Sequence, residues 1–232
     1  MQNVANVDEK VQEAALNAYS SLVEVAPDAC NPLLVGLFQV LNGVVDTYKD
    51  GATIAMLDCI GTIAQSVGNG LASEEIMQTL LPLLNKKWEQ IGDDNRSLLT
   101  LFECFEQVVF ALKDAILPYA KNIFGRCLKV LMNVLAVAKR DKSQLPEVFD
   151  FYQRSMDLIG QIFQALNVHS EQLVTQSELI DILLEFLHFG DLTIDQYVFS
   201  MVGDLQKTAP NCMLDKLPRF INIAISHLYY SD

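Results

Sequence analysis

Basic residues are scarce in this chain. Its 232 residues hold 16 Lys and Arg against 29 Asp and Glu, a formal charge of −13 at pH 7, with an isoelectric point near 4.5. A phosphate backbone needs the opposite field, so direct nucleic-acid binding is not expected. Cysteine is limited to Cys30, Cys59, Cys104, Cys127 and Cys212. That odd set has no CxxC pair and apolar neighbours, which excludes a disulfide frame and predicts buried thiols in a reducing compartment. The three histidines, His169, His188 and His227, are far apart and none lies in an HExxH motif. The phosphate-cradling GxxxxGK[ST] and GxGxxG loops are missing as well, so no metal or cofactor is expected. Met1 to Val7 lacks the basic start and apolar run of a secretory leader, which points to cytosol or nucleus. No apolar run of 18 residues is present, so a membrane span is not expected.

Apolar residues are what the chain has in plenty: 51% of it is hydrophobic and the mean hydropathy is +0.23. That excludes a disordered, solvating chain. At this length ~70–75% of the unfolded surface can be buried. From Val11 to Tyr230 the apolar residues recur at helical spacing without sustained alternation, so the expected class is all-α. Helices are predicted over about 9–25, 32–48, 52–67, 74–91, 95–112, 116–138, 147–166, 171–188, 193–208 and 213–229. The breaks have their own chemistry. Pro27 and Pro32 stop helix continuation, Gly68-Asn69-Gly70 permits positive φ, and Ser73 before Glu74-Glu75 caps a start.

Helices two apart share short stretches: Ile60-Gly61-Thr62-Ile63, Ile159-Gly160-Gln161-Ile162 and Val202-Gly203-Asp204-Leu205. Glycine costs roughly 1 kcal/mol inside a helix. Its return at one position predicts a close helix approach, unless it is coincidence among eleven glycines. Proline recurs early in alternate helices, at Pro32, Pro82, Pro118 and Pro218, which should start or bend there. Gly160 and Gly203 are one unit of ~40–47 residues apart, and Gly61 and Gly160 are two such units apart if one carries an extended loop. The expected loop is Lys139 to Pro146. These lengths are those of HEAT or armadillo hairpins, so residues 1–232 are read as one α-solenoid segment of about five hairpins. The first helix has the form of a second helix and the last that of a first helix, without polar outer faces. The expectation is a segment of a longer solenoid, truncated at both ends, with Phe220, Ile221, Ile225 and Leu228 able to mediate dimerisation.

Catalytic constellations are absent from the motifs. Asp93-Asp94 and Glu74-Glu75 are expected at helix starts, where the dipole favours carboxylates. Trp88 is expected to pack, with a ligand platform as the alternative. One polar pattern is different: Glu24, Asp58, Glu103, Asp157 and Asp204 recur inside second helices among residues that otherwise pack. Second helices of successive repeats line one wall, so such acids would form a column on a concave surface and attract a cation. The alternative is five solvated carboxylates. Aspartate is a poor helix former, which favours a role for Asp58, Asp157 and Asp204.

Several stretches resemble one family. They are Val11-Gln-Glu-Ala-Ala15 with Leu22, Leu57-Asp-Cys-Ile-Gly-Thr-Ile-Ala64 with Ser66-Val-Gly68, Lys87-Trp88, Leu101-Phe-Glu-Cys104, Leu117-Pro-Tyr119, Arg126-Cys127, Glu171-Gln-Leu-Val174 and Gly203-Asp-Leu205. Together they look like the transportin, or karyopherin-beta-2, family of nuclear import receptors, over its middle to C-terminal part. The resemblance implies a HEAT-repeat receptor shuttling between cytoplasm and nucleus. Such a receptor binds the basic portion of proline-tyrosine nuclear localisation signals of cargo proteins and releases cargo to Ran GTPase. It also implies nucleoporin contacts in the full-length receptor and assigns cargo binding to Glu24, Asp58, Glu103, Asp157 and Asp204. Gln164 stands where the family has an acid and Arg154 where it has an apolar contact, which puts the later part of the groove in doubt. The Ran-binding repeats and long acidic loop of the family are not expected in this chain. The rival expectation is a structural scaffold without a peptide groove; an enzyme is the least supported class.

Overall fold

The computed structural model describes residues 2–229, and among these 89% are helical with no strand. Ten longer helices carry the architecture: α1 (Glu9–Val25), α2 (Leu34–Val44), α3 (Asp50–Val67), α4 (Glu74–Gln90), α5 (Ser97–Leu112), α6 (Leu117–Arg140), α7 (Leu145–Leu166), α8 (Leu179–Leu187), α9 (Leu192–Thr208) and α10 (Leu217–Tyr229). The chain forms two compact units, one up to Ala115 and one from Ile116. In the first, α1, α3 and α5 pack side by side as one row while α2 and α4 form another. In the second, α6 packs on α7, α7 on α9, α8 on α9 and α8 on α6. Both are stacked helical hairpins of the HEAT type.

Local chemistry explains the starts. Asp8 accepts a hydrogen bond from Lys10 N at 2.9 Å at the head of α1, Ser73 Oγ one from Ile76 N at 3.4 Å at α4, and Asp191 those of Thr193 N and Ile194 N at 2.9 and 3.2 Å at α9. These satisfy backbone donors that a helix start leaves unpaired. Pro118, Pro146 and Pro218 sit second in their helices, where a missing N–H costs nothing.

The ends of the second helices repeat more faithfully than their sequences. Helix α3 ends at Gly68 (φ 57°, ψ −133°), α5 at Lys113 (φ 51°, ψ −128°) and α7 at Asn167 (φ 47°, ψ −124°), each opening a short 3-10 helix. Helices α1 and α9 end instead at Ala26 and Ala209, each followed by a proline that opens a four-residue helix.

Four expectations need correction. The segment 139–146 is no extended loop. Only Asp141 to Gln144 separate α6 from α7, because Asp141 Oδ1 accepts from Ser143 N at 3.0 Å and Ser143 Oγ at 2.7 Å and closes a tight turn. Lys142 Nζ then donates to Phe189 O at 2.6 Å. The glycines do not mark close approach: a Cβ on Gly61 would meet nothing nearer than 3.8 Å, and on Gly160 or Gly203 nothing within 4 Å. Pro82 lies in the interior of α4 rather than near its start. Asp93 and Asp94 lie in the turn before α5, whose first turn has no acid.

Two other points refine the sequence reading. Helix 171–188 is broken into Glu171–Thr175 and α8 by a turn over 176–178. The stretch Pro27–Thr47 does reach a mean hydropathy of 1.3 over a spanning length. It is folded into successive short pieces, and Leu34, Leu37, Phe38 and Leu41 are fully buried in the first unit.

Cores are aromatic in both units. Trp88 packs against Phe102 at 5.9 Å and edge-on against Phe105 at 4.9 Å between ring centres, the packing role expected of it. In the second unit Tyr152 is wholly buried, 4.7 Å from Phe186, and donates its hydroxyl to Ile194 O at 3.1 Å. Cys30, Cys59, Cys104 and Cys127 are buried, and Cys212 is partly exposed. Between α2 and α4 runs a polar seam. Asn42 Nδ2 donates to Phe38 O at 2.9 Å and to Thr79 O at 2.7 Å; Lys86 Nζ donates to Asn42 O at 3.0 Å, and Gln90 Nε2 to Asp46 at 2.9 Å. On α10, Phe220 is buried while Ile221 and Ile225 are exposed. The Leu228 side chain and Tyr230 lie outside the described residues.

Candidate functional site

In the first unit the three acids stand on three helices of one row: Glu24 near the end of α1, Asp58 at mid-length in α3, and Glu103 in the first half of α5. Each is exposed, and two are flanked by buried residues, Leu57 and Cys59 around Asp58 and Phe102 and Cys104 around Glu103, whereas Glu24 stands between buried Val23 and exposed Val25. Helical geometry enforces this, since only every third or fourth residue returns to the packed side. Asp58 and Glu103 are brought together. Desolvation by the surrounding protein holds the Asp58 carboxyl above the usual carboxylate range, and the nearby Glu103 charge adds to that rise. A cation placed there would relieve the repulsion between the two acids.

In the second unit the candidates stand on α7 and α9, which pack together. Asp157 is half-buried. Burial raises its carboxyl and the charge of Arg154, one helical turn before it, pulls it back down. Tyr197 on α9 feels this pair as well: burial and then the Asp157 charge raise its hydroxyl, while Arg154 and a hydrogen bond with Gln153 oppose the rise. Gln164 is exposed two turns further along α7. Asp204 forms an ion pair with Lys207 at 3.4 Å on its own helix. Gln153, Tyr197 and Lys207 are the neighbours that sequence reasoning overlooked. Lys207 was readable from its place three residues after Asp204, whereas Tyr197 needed the packing of α9 on α7.

No group of three or more His, Cys, Asp and Glu side chains is arranged to hold a metal ion among the described residues. His169 and His188 are exposed.

No family model matches the sequence. Curated relatives do. The chain is 30% identical over 227 residues to transportin-1 of Mus musculus, an alignment covering 94% of this chain and 25% of that protein. It is 29% identical over 230 residues to transportin-1 of Oryza sativa subsp. japonica, covering 98% and 26%. It is 30% identical over 178 residues to importin subunit beta-2 of Schizosaccharomyces pombe, covering 75% and 20%. The chain is transportin-like. It spans about a quarter of the length of these relatives. Identity near 30% along almost the whole transportin-like sequence agrees with the helical-hairpin architecture and with the resemblance carried by the short stretches.

Proposed function

We propose that this chain is a cargo-binding part of a nuclear import receptor. It accepts the basic portion of proline-tyrosine localisation signals through Glu24, Asp58 and Glu103 in the first unit and Asp157, Gln164 and Asp204 in the second. The observation that carries the reading is the proximity of Asp58 and Glu103 on neighbouring helices, where burial and then the Glu103 charge raise the Asp58 carboxyl. An Arg or Lys of an extended peptide supplies a positive charge to these acids, and Arg adds a planar fork that matches a carboxylate. Each exposed pair contributes only ~0.2–1 kcal/mol, so affinity comes from several contacts along one peptide. The full receptor is proposed to shuttle between cytoplasm and nucleus with Ran GTPase and nucleoporins as further partners. The names of the relatives, transportin and importin, denote transport proteins and support a non-enzymatic role.

The test is titration of the chain with a basic proline-tyrosine peptide at rising salt. Affinity is expected to fall with ionic strength, and Asp58→Asn with Glu103→Gln to weaken binding about tenfold at low salt. Affinity indifferent to salt and to both substitutions would refute the acidic interface. Protection of the first helices instead would favour a scaffold.

A further inference from the structure

One helix of the second unit runs against the charge of the chain. Residues 117–142 hold Lys121, Arg126, Lys129, Lys139, Arg140 and Lys142, six of the 16 basic residues, with Asp141 as their single acid. Helix α6 itself has no Asp or Glu in its 24 residues, so none of its cations has an acid three or four places away along the helix. With about 3.6 residues per turn, Cys127, Leu131, Val134 and Ala138 fall on one side and are buried, while Lys121, Lys129, Lys139 and Arg140 fall on the other and are exposed. The exposed face is low between its cations. Gly125 and Ala136 lie on it, and a Cβ on Gly125 would meet nothing within 4 Å. Met132, 47% exposed, adds an apolar contact. At ~1.5 Å per residue, Lys121 and Arg140 stand ~28 Å apart along the axis.

The protein's own contacts to this face are of the exposed kind. Lys139 Nζ meets Glu185 of α8 at 2.7 Å, Arg140 Nη2 donates to Gln144 at 3.4 Å, and Lys142 Nζ donates to Phe189 O at 2.6 Å. The hydrogen bond from Lys139, and then the charges of Lys139, His188 and Arg219, hold the Glu185 carboxyl below the usual carboxylate range. Lys139 and Arg219 around one carboxylate leave that end of the face net positive. Exposed pairs are weak and exchange partners readily. The helix dipole accounts for cations in the last turn of α6, but not for Lys121 or Lys129.

We propose that the exposed face of α6, from Lys121 to Arg140, is a docking surface for an acidic segment of a partner protein. Carboxylates of the segment face Lys121, Lys129 and Arg140 in turn through charge-assisted hydrogen bonds. Its backbone passes over Gly125 and Ala136, where no long side chain intervenes. The length of the partner follows from the charge of the chain. A net charge of −13 repels an extended polyanion such as nucleic acid or an anionic membrane, whereas a short segment lies within ~8 Å of the face, about one Debye length, and responds to its local sign. None of the residues assigned to the basic peptide lies on α6, so this surface and that interface stand or fall separately.

The experiment is fluorescence anisotropy of the whole chain with a labelled peptide of alternating Glu and Ser, about ten residues long, which when extended can follow the face. Saturable binding at low salt is expected, weakening as salt rises. Lys121→Gln with Lys129→Gln is expected to weaken it about fivefold, and Lys10→Gln with Lys49→Gln, the same change of net charge elsewhere, less than twofold. No binding to the unmodified chain overturns the proposal. An equal loss in both double variants overturns it as well, because net charge rather than this face would then be responsible. Phosphatidylserine vesicles and a single-stranded oligonucleotide are the competing probes. Binding of either that depends more strongly on Lys121 and Lys129 than peptide binding does assigns the face to a membrane or a nucleic acid and overturns the protein partner.

Discussion

The two units are built alike and charged differently. Up to Ala115 there are 16 acidic and 6 basic side chains, a net of −10; from Ile116 there are 13 and 10, a net of −3. The difference reaches the candidate residues. Asp58 has another acid for its neighbour, whereas Asp157 has Arg154 and Asp204 has Lys207. A cationic ligand at Asp58 therefore relieves repulsion from a neighbouring acid, whereas one at Asp204 must displace Lys207.

The contrast concerns surfaces rather than cores. Trp88→Ala in the first unit and Tyr152→Ala in the second are each expected to cost about 3–5 kcal/mol, read from urea unfolding midpoints. A small loss from only one of them would extend the contrast to the interior.

Peptide binding gives the next largest effect. Glu24→Gln with Asp58→Asn is expected to weaken a basic peptide about tenfold, and Asp157→Asn with Asp204→Asn only two- to threefold by roughly the same scale of exposed pairs. Fluorescence anisotropy at low salt measures both, and the reverse order would break the comparison. A smaller effect tests the shared build. Lys113 and Asn167 hold a backbone conformation suited to glycine, so Lys113→Gly and Asn167→Gly should each stabilise by about 1 kcal/mol. Failure in one unit alone would mean that its helix end relaxes differently.

The smallest expected effect is on pH dependence. Asp58 and Asp157 have carboxyls raised in the folded state. A raised carboxyl contributes most to stability below its unfolded pKa, and that contribution is lost as pH rises through the folded value. Asp58→Asn and Asp157→Asn should therefore be neutral or stabilising by up to about 0.5 kcal/mol at pH 7, discounted for exposure. The advantage should vanish in acid, as followed by melting temperature. Peptide affinity should begin to fall on acidification before ordinary carboxylates protonate.

Helix positions were largely legible because apolar spacing and punctuation agree: α1 has the bounds expected, and α3, α6 and α9 differ by two residues or fewer at each end. The turn at 141–144 was not legible, since Pro146 looks the same in sequence whether it ends a loop or sits inside a helix start. The repeated helix ends were hidden for a different reason. Gly68, Lys113 and Asn167 share dihedral angles without sharing a residue type, so the repeat lies in the backbone. Of the candidate site, the exposure of Asp58 and Glu103 followed from helical periodicity. Their mutual proximity required the packing of α3 on α5, which no spacing within one helix encodes.

The seam between α2 and α4 has a mechanical consequence for the first unit. Pro82 can give no N–H to the carbonyl four residues before it, and close by, at Thr79, Asn42 reaches across from α2 to donate. Sliding α2 along α4 by one helical turn, about 5.4 Å, would part Asn42 from Thr79, Lys86 from Asn42 O and Gln90 from Asp46 in a single step. These two helices thus behave as a keyed joint, and strain imposed by a docked partner must be absorbed by bending elsewhere in the unit.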